Sequence, residues 1–266
     1  MNDTTTTREN WTELLKSAVE QPGLILKAYS NFHSYSIGNQ VLAMVQCQQR
    51  GIEPGPINTY PGWQRLNRFV KKGEKALTLL MPLAKCKTND QGEKEHFIGG
   101  FMYKPRWFVL SQTDGEEYQL PPMPEWDKER ALRVLNITEQ PFSDTNGNVQ
   151  GYATKRTIAI SPVAELPHKT LFHELAHVEL GHTAEADFND TEATPRNLRE
   201  VEAESVALIL LDAFELPGSE YARGYIQNWL RGDVIPEESA RKIFTAADRI
   251  LKAGREAEGG SDATIN

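Results

Sequence analysis

The stretch Leu171–His182, LFHELAHVELGH, contains the pattern that most constrains this sequence, His173-Glu174-x-x-His177. Residues four apart project from the same face of a helix, so the two histidines can direct their imidazole nitrogens at one ion. Glu174 would lie beside that ion without binding it, which suits a general base for a metal-bound water. We therefore expect one divalent metal here, zinc first and manganese as the alternative. The competing interpretation is a pair of surface histidines on an amphipathic helix.

A third ligand would assign the site to a class of metal hydrolase. In the metzincin pattern a glycine and a third histidine follow the first histidine by seven and ten residues. Those positions hold Leu180 and Thr183 in this chain, so the sequence departs from that class. His182 follows Gly181, beyond the expected helix end. We expect it to cap the helix or to support a ligand instead of binding the ion.

The segment Arg196–Leu211, RNLREVEAESVALILL, predicts a second long helix that is rich in glutamate. Glu200 and Glu204 are four apart and share a face. The segment resembles the second zinc helix of gluzincin-type peptidases, where a glutamate ligand is followed four residues later by an acidic group that orients a zinc-bound histidine. The resemblance implies that Glu200 binds the metal and that Glu204 supports a histidine, with Glu204 as ligand the alternative. We expect Glu202 to point into solvent.

Three protein ligands would leave a fourth position for water, which is typical of a catalytic site. The implied chemistry is metal-assisted hydrolysis of a peptide bond, with Glu174 as the general base. Tyr152, Tyr225 and His182 are candidates for stabilising the oxyanion. The predicted strand TIAIS, Thr157–Ser161, is expected to pair with an extended peptide.

The net charge of −8 hides an uneven distribution along the chain. Residues 1–120 carry 14 Lys and Arg against 12 Asp and Glu, whereas residues 121–266 carry 15 against 25. Within residues 60–87, seven basic residues stand against a single acidic one, Glu74. Nucleic acid is attracted to such a local concentration of positive charge, although the average charge alone would disfavour it.

Aromatic residues are interleaved with this basic stretch and with the segment Lys104–Trp107. Unpaired bases stack on aromatic faces while cations contact phosphates, so the mixture is typical of single-stranded nucleic-acid binding. The alternative for each aromatic residue is burial in the core, with the lysines on a solvated face. The candidate DNA-binding residues are Tyr60, Trp63, Arg65, Arg68, Lys71, Lys72, Lys75, Lys104 and Arg106.

Several segments resemble, in the same order, the ArdC family of antirestriction proteins. They are GNQVLAMVQ at 38–46, YPGWQRLNRFVKKGEKALTLLMP at 60–82 and FVLSQTDG at 108–115, followed by HELAH and REVEAES. The block Trp63–Lys75 is the most specific, since HExxH alone is shared by many unrelated peptidases. Lys71, where the family commonly has arginine, and the compact REVEAES depart from the family pattern. The resemblance implies a protein of mobile elements that binds single-stranded DNA and protects incoming DNA from host restriction.

The resemblance and the element pattern together predict an α+β protein of two domains. Three prolines within Gln119–Asp127 mark the boundary. We expect an α+β single-stranded DNA-binding domain over 1–120 and a mainly helical, zincin-like metallopeptidase domain with a small β-sheet over 121–255. The polar tail 256–266 is expected to be disordered.

The remaining features bear on location and on competing functions. The N-terminus lacks the apolar segment of a secretory signal, and no apolar run approaches the length of a membrane span. Cys47 and Cys86 lack zinc-ligand spacing and are expected to be reduced, so we expect a cytoplasmic protein. Its expected partners are single-stranded DNA and a protein or peptide substrate. The alternatives are a non-proteolytic DNA-binding module with a structural metal, and a regulatory metalloprotease that cleaves a repressor.

Overall fold

The structure, a computed structural model, describes residues 10–88, 94–145, 147–183 and 195–255, with side chains for all of these except 88 and 94–96. The chain forms two compact units. The small unit is Lys27–Pro121, and the large unit contains the described residues of Met1–Leu26 and Pro122–Asn266. The predicted disordered tail, 256–266, lies outside the described residues. No described helix has both the length and the apolar character needed to cross a membrane.

Helices and small sheets alternate along the chain, which confirms the predicted α+β class. A 3-10 turn over Leu110–Gln112 precedes the last strand of the small unit. The elements are α1 (Trp11–Glu20), α2 (Leu24–Phe32), α3 (Ile37–Arg50), β1 (Ile57–Thr59), α4 (Tyr60–Arg65), β2 (Arg68–Val70), β3 (Leu77–Thr88), β4 (Lys94–Val109), β5 (Thr113–Gly115), α5 (Lys128–Leu135), β6 (Thr138–Glu139), β7 (Gly151–Thr154), β8 (Thr157–Ile160), α6 (Pro167–Glu179), α7 (Arg196–Ala213), α8 (Ser219–Leu230) and α9 (Glu237–Ala253).

The small unit is built on an antiparallel sheet in the order β1-β4-β3, beside a two-stranded pair of β2 and β5. β3 is an edge strand, and the backbone N–H and C=O groups of an edge need partners. α3 supplies them through side-chain amides. Gln46 bonds the N–H and C=O of Thr78 at 2.9 and 2.8 Å, and Asn39 bonds those of Leu80 at 2.9 and 2.8 Å. These amides cover the part of the edge that a further strand would otherwise occupy.

The centre of the large unit is α7, in which every residue from Val201 to Ala213 is buried. α6, α8 and α9 pack against it, and a three-stranded sheet in the order β6-β8-β7 contacts α6. β8 is parallel to β6 and antiparallel to β7. Among the described strands, β7 pairs along all of β8, and β6 pairs with it at Thr157 and Ile158. No full-length edge of this strand, predicted as TIAIS, is left for the peptide that was expected to pair with it.

Polar contacts, which are buried at Arg223 and exposed at Glu237, attach α1 to the rest of the large unit. Arg223 on α8 donates to the carbonyls of Ala18, at 2.8 Å, and Val19, and forms an ion pair with Asp212 on α7 at 2.5 Å. Glu237 accepts from the first two backbone N–H groups of α1 at 3.1 and 3.0 Å. The compact units therefore differ from the predicted division at 120/121 in that the first helix packs with the C-terminal residues.

Candidate functional site

The HExxH pattern lies on α6, which is defined by its two ends and by one buried face. Pro167 lies in the first turn, where backbone N–H groups have no partner within the helix, so its lack of an N–H costs no hydrogen bond. Gly181 adopts a φ of 79° just past the end of the helix. His173, Glu174 and His177 border a cleft of about 470 Å³. The apolar residues that bury the helix against the core are Leu171, Phe172, Leu175, Ala176 and Val178.

Three donor atoms converge at this cleft, from His173, His177 and Glu200. The Nε2 atoms of the two histidines are 3.0 Å apart, and Oε2 of Glu200 lies 3.5 Å from the first and 3.7 Å from the second. Ligand atoms bound to a tetrahedral ion at about 2.0–2.2 Å are about 3.3–3.6 Å from one another. A triangle with the observed sides has a point about 2 Å from all three corners. The donor set therefore fits one divalent ion.

Carboxylates around the histidines favour a cation at this point. Burial alone would lower the pKa of His173, but Glu200, Glu204 and Glu174 raise it above its ordinary value. The neighbouring imidazoles of His173 and His177 hold the pKa of Glu200 well below its usual range, so this carboxylate is ionised. The cluster stabilises positive charge, whether a proton or a metal ion carries it.

Behind His177, the site continues through His182 to Glu202. Nδ1 of His182 lies 3.0 Å from Nδ1 of His177, and Nε2 of His182 lies 2.9 Å from Oε2 of Glu202. An ionised carboxylate only accepts, so His182 donates from Nε2 and accepts at Nδ1 from His177. This assignment leaves the lone pair of His177 on Nε2, the atom that faces Glu200, as metal ligation requires.

The position of Glu202 differs from the sequence expectation. Its side chain is only 3% exposed, so the expectation that it points into solvent is wrong. Burial raises its pKa, but hydrogen bonds from His182 and Ser239 outweigh this effect and lower it. The reason is that α7 is enclosed by neighbouring helices on all sides, so a residue that faces away from Glu200 is still inside the protein.

Glu204 lies at the other ring nitrogen of His173. Its Oε1 is 2.7 Å from Nζ of Lys169 and 3.5 Å from Nδ1 of His173, longer than a good hydrogen bond. Because Nδ1 and Nε2 lie on different edges of the imidazole, Glu204 is outside the donor cluster that contains Glu200. This is the position of a supporting carboxylate.

Glu174 is buried at the floor of the cleft, and burial raises its pKa although the two histidines act in the opposite direction. The backbone of β7 approaches it closely at Gly151. A Cβ at Gly151 would lie 2.6 Å from Cγ2 of Thr170 and 3.2 Å from Cγ of Glu174. Only glycine leaves the Glu174 side chain undisturbed in this position.

The strand next to the donor cluster has a free edge. Among the strands that the structure describes, β7 pairs with β8 alone, and its residues 151–153 line the cleft beside His173 and Glu174. A second cavity of about 500 Å³ shares Gly151, His173 and Glu174 and extends past Tyr221. Space for a substrate therefore exists on both sides of the donor atoms, along an unpaired strand edge.

The three oxyanion candidates occupy different surroundings. Both ring nitrogens of His182 are engaged, one by His177 and the other by Glu202. The hydroxyl of Tyr152 lies 3.2 Å from Oγ of Ser143 and 3.3 Å from Nε2 of Gln140. Burial, followed by the charges of Glu200 and Glu204, raises the pKa of Tyr225.

In the small unit, part of the predicted DNA-binding set is used internally. Trp63 is 1% exposed and donates from Nε1 to the carbonyl of Phe108 at 2.8 Å, so it has no open face on which a base could stack. Arg68 donates to Oγ1 and the carbonyl of Thr113, which joins β2 to β5. Lys71 donates to the carbonyl of Ser111 at 2.9 Å. Burial thus removes Trp63 from the stacking role that its sequence neighbourhood predicted.

The other predicted residues remain accessible. Tyr60, Arg65, Lys72, Lys75 and Arg106 are exposed, and Lys104 is half-buried. The residues around Trp63 form α4, and β2 follows it. Thr59 caps α4 by accepting from the N–H of Gly62, and Asn67, with a φ of 53°, turns the chain between the two elements.

Two groups of residues were not among the candidate site residues predicted from the sequence. The first is Glu202, whose contact with His182 depends on how α7 packs against α6. The second is on the β3–β4 hairpin, where Lys85 and Lys87 alternate along one strand and Phe97 lies on the other. Period-two spacing of the two lysines is a signal that the sequence did contain.

Residues 2–120 match the family described as the N-terminal domain of anti-restriction factor ArdC, and residues 134–228 match the IrrE N-terminal-like domain of the M78 peptidases. Crystal structures of the antirestriction protein ArdC from the R388 plasmid share the fold. The metal-free one has 22% identity and a TM-score of 0.51 and covers 92% of this chain and 94% of that chain. The Mn(II)-bound one has 20% identity and a TM-score of 0.51 and covers 92% and 96%. No curated protein sequence is a significant match.

Proposed function

We propose, from the premise that this chain belongs to the ArdC family of antirestriction proteins, that its small unit binds single-stranded DNA and that the site in its large unit hydrolyses peptide bonds of a protein substrate. The observation that carries the hydrolytic part is the convergence of His173, His177 and Glu200 beside the buried Glu174. Antirestriction provides the biological setting, in which both activities would act on incoming DNA and on proteins bound to it. A cytoplasmic location belongs to the proposal.

The proposed metal is one divalent ion held by His173, His177 and Glu200. Two imidazoles and one carboxylate are the donor set of catalytic zinc sites, so zinc is the first choice. Manganese is the alternative, since the similar ArdC protein of plasmid R388 has a crystal structure with Mn(II) bound. When bound, the ion supplies Lewis acidity and a water of lowered pKa.

Glu174 is proposed to accept the proton of the attacking water and to pass it to the leaving amine. Its raised pKa makes it a stronger base than an exposed glutamate while it remains close to the histidines. His182 and Glu202 hold His177 in the tautomer with a free Nε2, and Glu204 supports His173. The hydroxyl of Tyr225 is the proposed donor to the oxyanion of the scissile carbonyl.

The free edge of β7 is proposed to bind the substrate backbone. An extended peptide that adds to this edge as a fourth strand would satisfy its own backbone groups and pass Glu174 at Gly151. The cavities on the two sides of the donor atoms would then receive side chains from either side of the cleaved bond.

The test is the substitution Glu174→Gln, which keeps the side-chain volume and removes the base. The variant, loaded with Zn(II) or Mn(II), should retain its metal content and its binding of single-stranded DNA. Its rate of cleavage of a fluorescence-quenched peptide library should fall at least about a hundredfold. Glu238→Gln, an exposed carboxyl on α9, is the matched control and should cleave like the parent protein.

The outcomes separate the competing functions. Equal cleavage by the parent protein and Glu174→Gln would refute the proposed mechanism. If no peptide is cleaved by the metal-loaded parent protein, the metal is structural and the DNA-binding module alone remains. Protection of DNA from restriction that persists in Glu174→Gln would show that hydrolysis is dispensable for antirestriction.

A further inference from the structure

The outer part of the β3–β4 hairpin presents exposed apolar residues. β1 pairs with β4 only at Trp107, Phe108 and Val109, so most of the hairpin is a two-stranded ribbon. Phe97, Ile98 and Phe101 on this ribbon are 48%, 57% and 61% exposed. Clustered exposed apolar side chains of this size indicate an interaction site.

The register divides these residues between the two faces of the ribbon. Phe97 is the cross-strand partner of Lys85, so their side chains share a face, and Lys87 follows two residues later on the same face. The stem of Lys85 lies over Gly99, where a Cβ would be 2.1 Å from its Cδ. We call Lys85, Lys87 and Phe97 the cationic face.

The opposite face of the ribbon has a different character. Ile98 pairs with Ala84, and Phe101 pairs with Pro82, beyond the bulge that separates these two pairs. This second set contains no charged residue, and we call it the apolar face. The two phenylalanines, on the same strand and of similar exposure, therefore differ in whether lysines lie beside them.

The chemistry of the cationic face fits a single-stranded polyanion. An exposed ring offers a surface for one base, while two ammonium groups at strand spacing can contact neighbouring phosphates. β3 and β4 contain five basic residues and one acidic residue, Glu95, which is the cross-strand partner of Lys87. Trp63, in contrast, is buried, and Arg68 and Lys71 donate to backbone carbonyls of the small unit.

We propose that single-stranded DNA docks on the cationic face of the β3–β4 hairpin, with a base on Phe97 and phosphates at Lys85 and Lys87. This inference rests on the proposed DNA binding of the small unit and assigns it a location. The exposed residues near α4, Tyr60 and Phe69, are the competing location.

The experiment compares the full-length variants Phe97→Ala and Phe101→Ala by fluorescence anisotropy with a labelled oligothymidylate of about 16 nucleotides. Phe97→Ala should weaken binding about tenfold, because it removes a stacking surface, while Phe101→Ala on the apolar face should bind like the parent protein. The double variant Lys85→Ala with Lys87→Ala should reduce the slope of log affinity against log salt by about 0.7 for each phosphate that the protein no longer neutralises. Unchanged thermal unfolding verifies that each variant is folded.

Each result has a defined meaning. Full-strength binding by Phe97→Ala and by the lysine double variant overturns the hairpin site and leaves the proposed DNA binding intact. The variant Phe69→Ala tests the competing location, and a loss of binding confined to this variant has the same meaning. A larger loss for Phe101→Ala than for Phe97→Ala overturns the choice of face. Absence of binding by the parent protein refutes DNA binding in the proposed function, and the hairpin site with it.

Discussion

The Nδ1 atoms of His177 and His182 lie 3.0 Å apart, so one histidine of the HExxH pattern is oriented by another histidine and not directly by a carboxylate. Glu202, at 2.9 Å from the far nitrogen of His182, completes a line of three groups that ends at the donor cluster. Removing any member leaves the ring of His177 free to rotate or to carry its proton on Nε2.

His182→Ala should weaken metal binding about 10- to 100-fold, because a ligand loses the group that sets its tautomer. The measurement is competition for Zn(II) with a chromophoric chelator. His168→Ala, a change at an exposed histidine on α6, is the control and should bind like the parent protein. Unchanged affinity in His182→Ala would contradict the assigned role.

Glu200→Ala and Glu204→Gln should have different effects on metal content. Glu200 supplies a donor atom, so its loss should prevent stoichiometric binding of the ion at micromolar protein. Glu204→Gln should retain one ion per chain at an affinity lowered about 10- to 100-fold, because Glu204 lies beside Nδ1 of His173. Metal analysis after gel filtration distinguishes them, and the reverse pattern would make Glu204 the ligand.

Gly151→Ala should reduce peptide cleavage while metal content stays at the parent level. The added Cβ meets Thr170 and Glu174, so the general base must move while the three donor residues are untouched. Gly147→Ala, at a glycine where an added methyl group would meet no heavy atom within 4 Å, is the matched control and should be neutral. Adding Thr170→Ser to Gly151→Ala removes the closest clash and should recover part of the activity. A loss of metal in Gly151→Ala would contradict the prediction, because it would show that the donor residues had also moved.

The stability of the small unit should fall in alkaline solution because of Tyr35. Its hydroxyl donates to the carbonyl of Ile57 at 3.0 Å, and burial raises its pKa to about 12. A raised folded-state pKa contributes stability that is complete below the unfolded value of about 10 and is lost as the pH rises to about 12. The loss should reach up to about 3 kcal/mol in the free energy of unfolding.

Urea unfolding of the parent protein and Tyr35→Phe across this range measures the contribution. The phenylalanine variant lacks the ionising hydroxyl, so the difference between the two proteins should shrink between about pH 10 and 12. A constant difference across that range would show that Tyr35 does not ionise before the protein unfolds.

The features predicted best from the sequence are those within a single element. His173, Glu174 and His177 share one helix, so their spacing alone places them together. The α+β class is confirmed, and the resemblance to ArdC recurs in the family model that matches residues 2–120. Glu202 and Trp63 were misjudged because burial depends on which element packs against them. For Trp63 the deciding partner is the carbonyl of Phe108, 45 residues later.

The pairing between strands could not be predicted from the sequence, because it also depends on tertiary packing. The pattern of TIAIS predicts a strand correctly, but its neighbours β6 and β7 are selected by tertiary packing, which makes it a central strand. The free edge at β7 follows from that arrangement. Likewise, the alternation of Lys85 and Lys87 predicts a shared face, whereas Phe97 joins them only through the hairpin register.

The packing of α1 in the large unit affects the order in which the protein is completed during translation. Trp11 contacts Phe244, with ring centroids 5.5 Å apart, so α1 can pack in its final position only after the chain has been synthesised as far as α9. The small unit, continuous from Lys27 to Pro121, is synthesised whole before that moment. The small unit can therefore fold during translation before α1 has a surface to pack against.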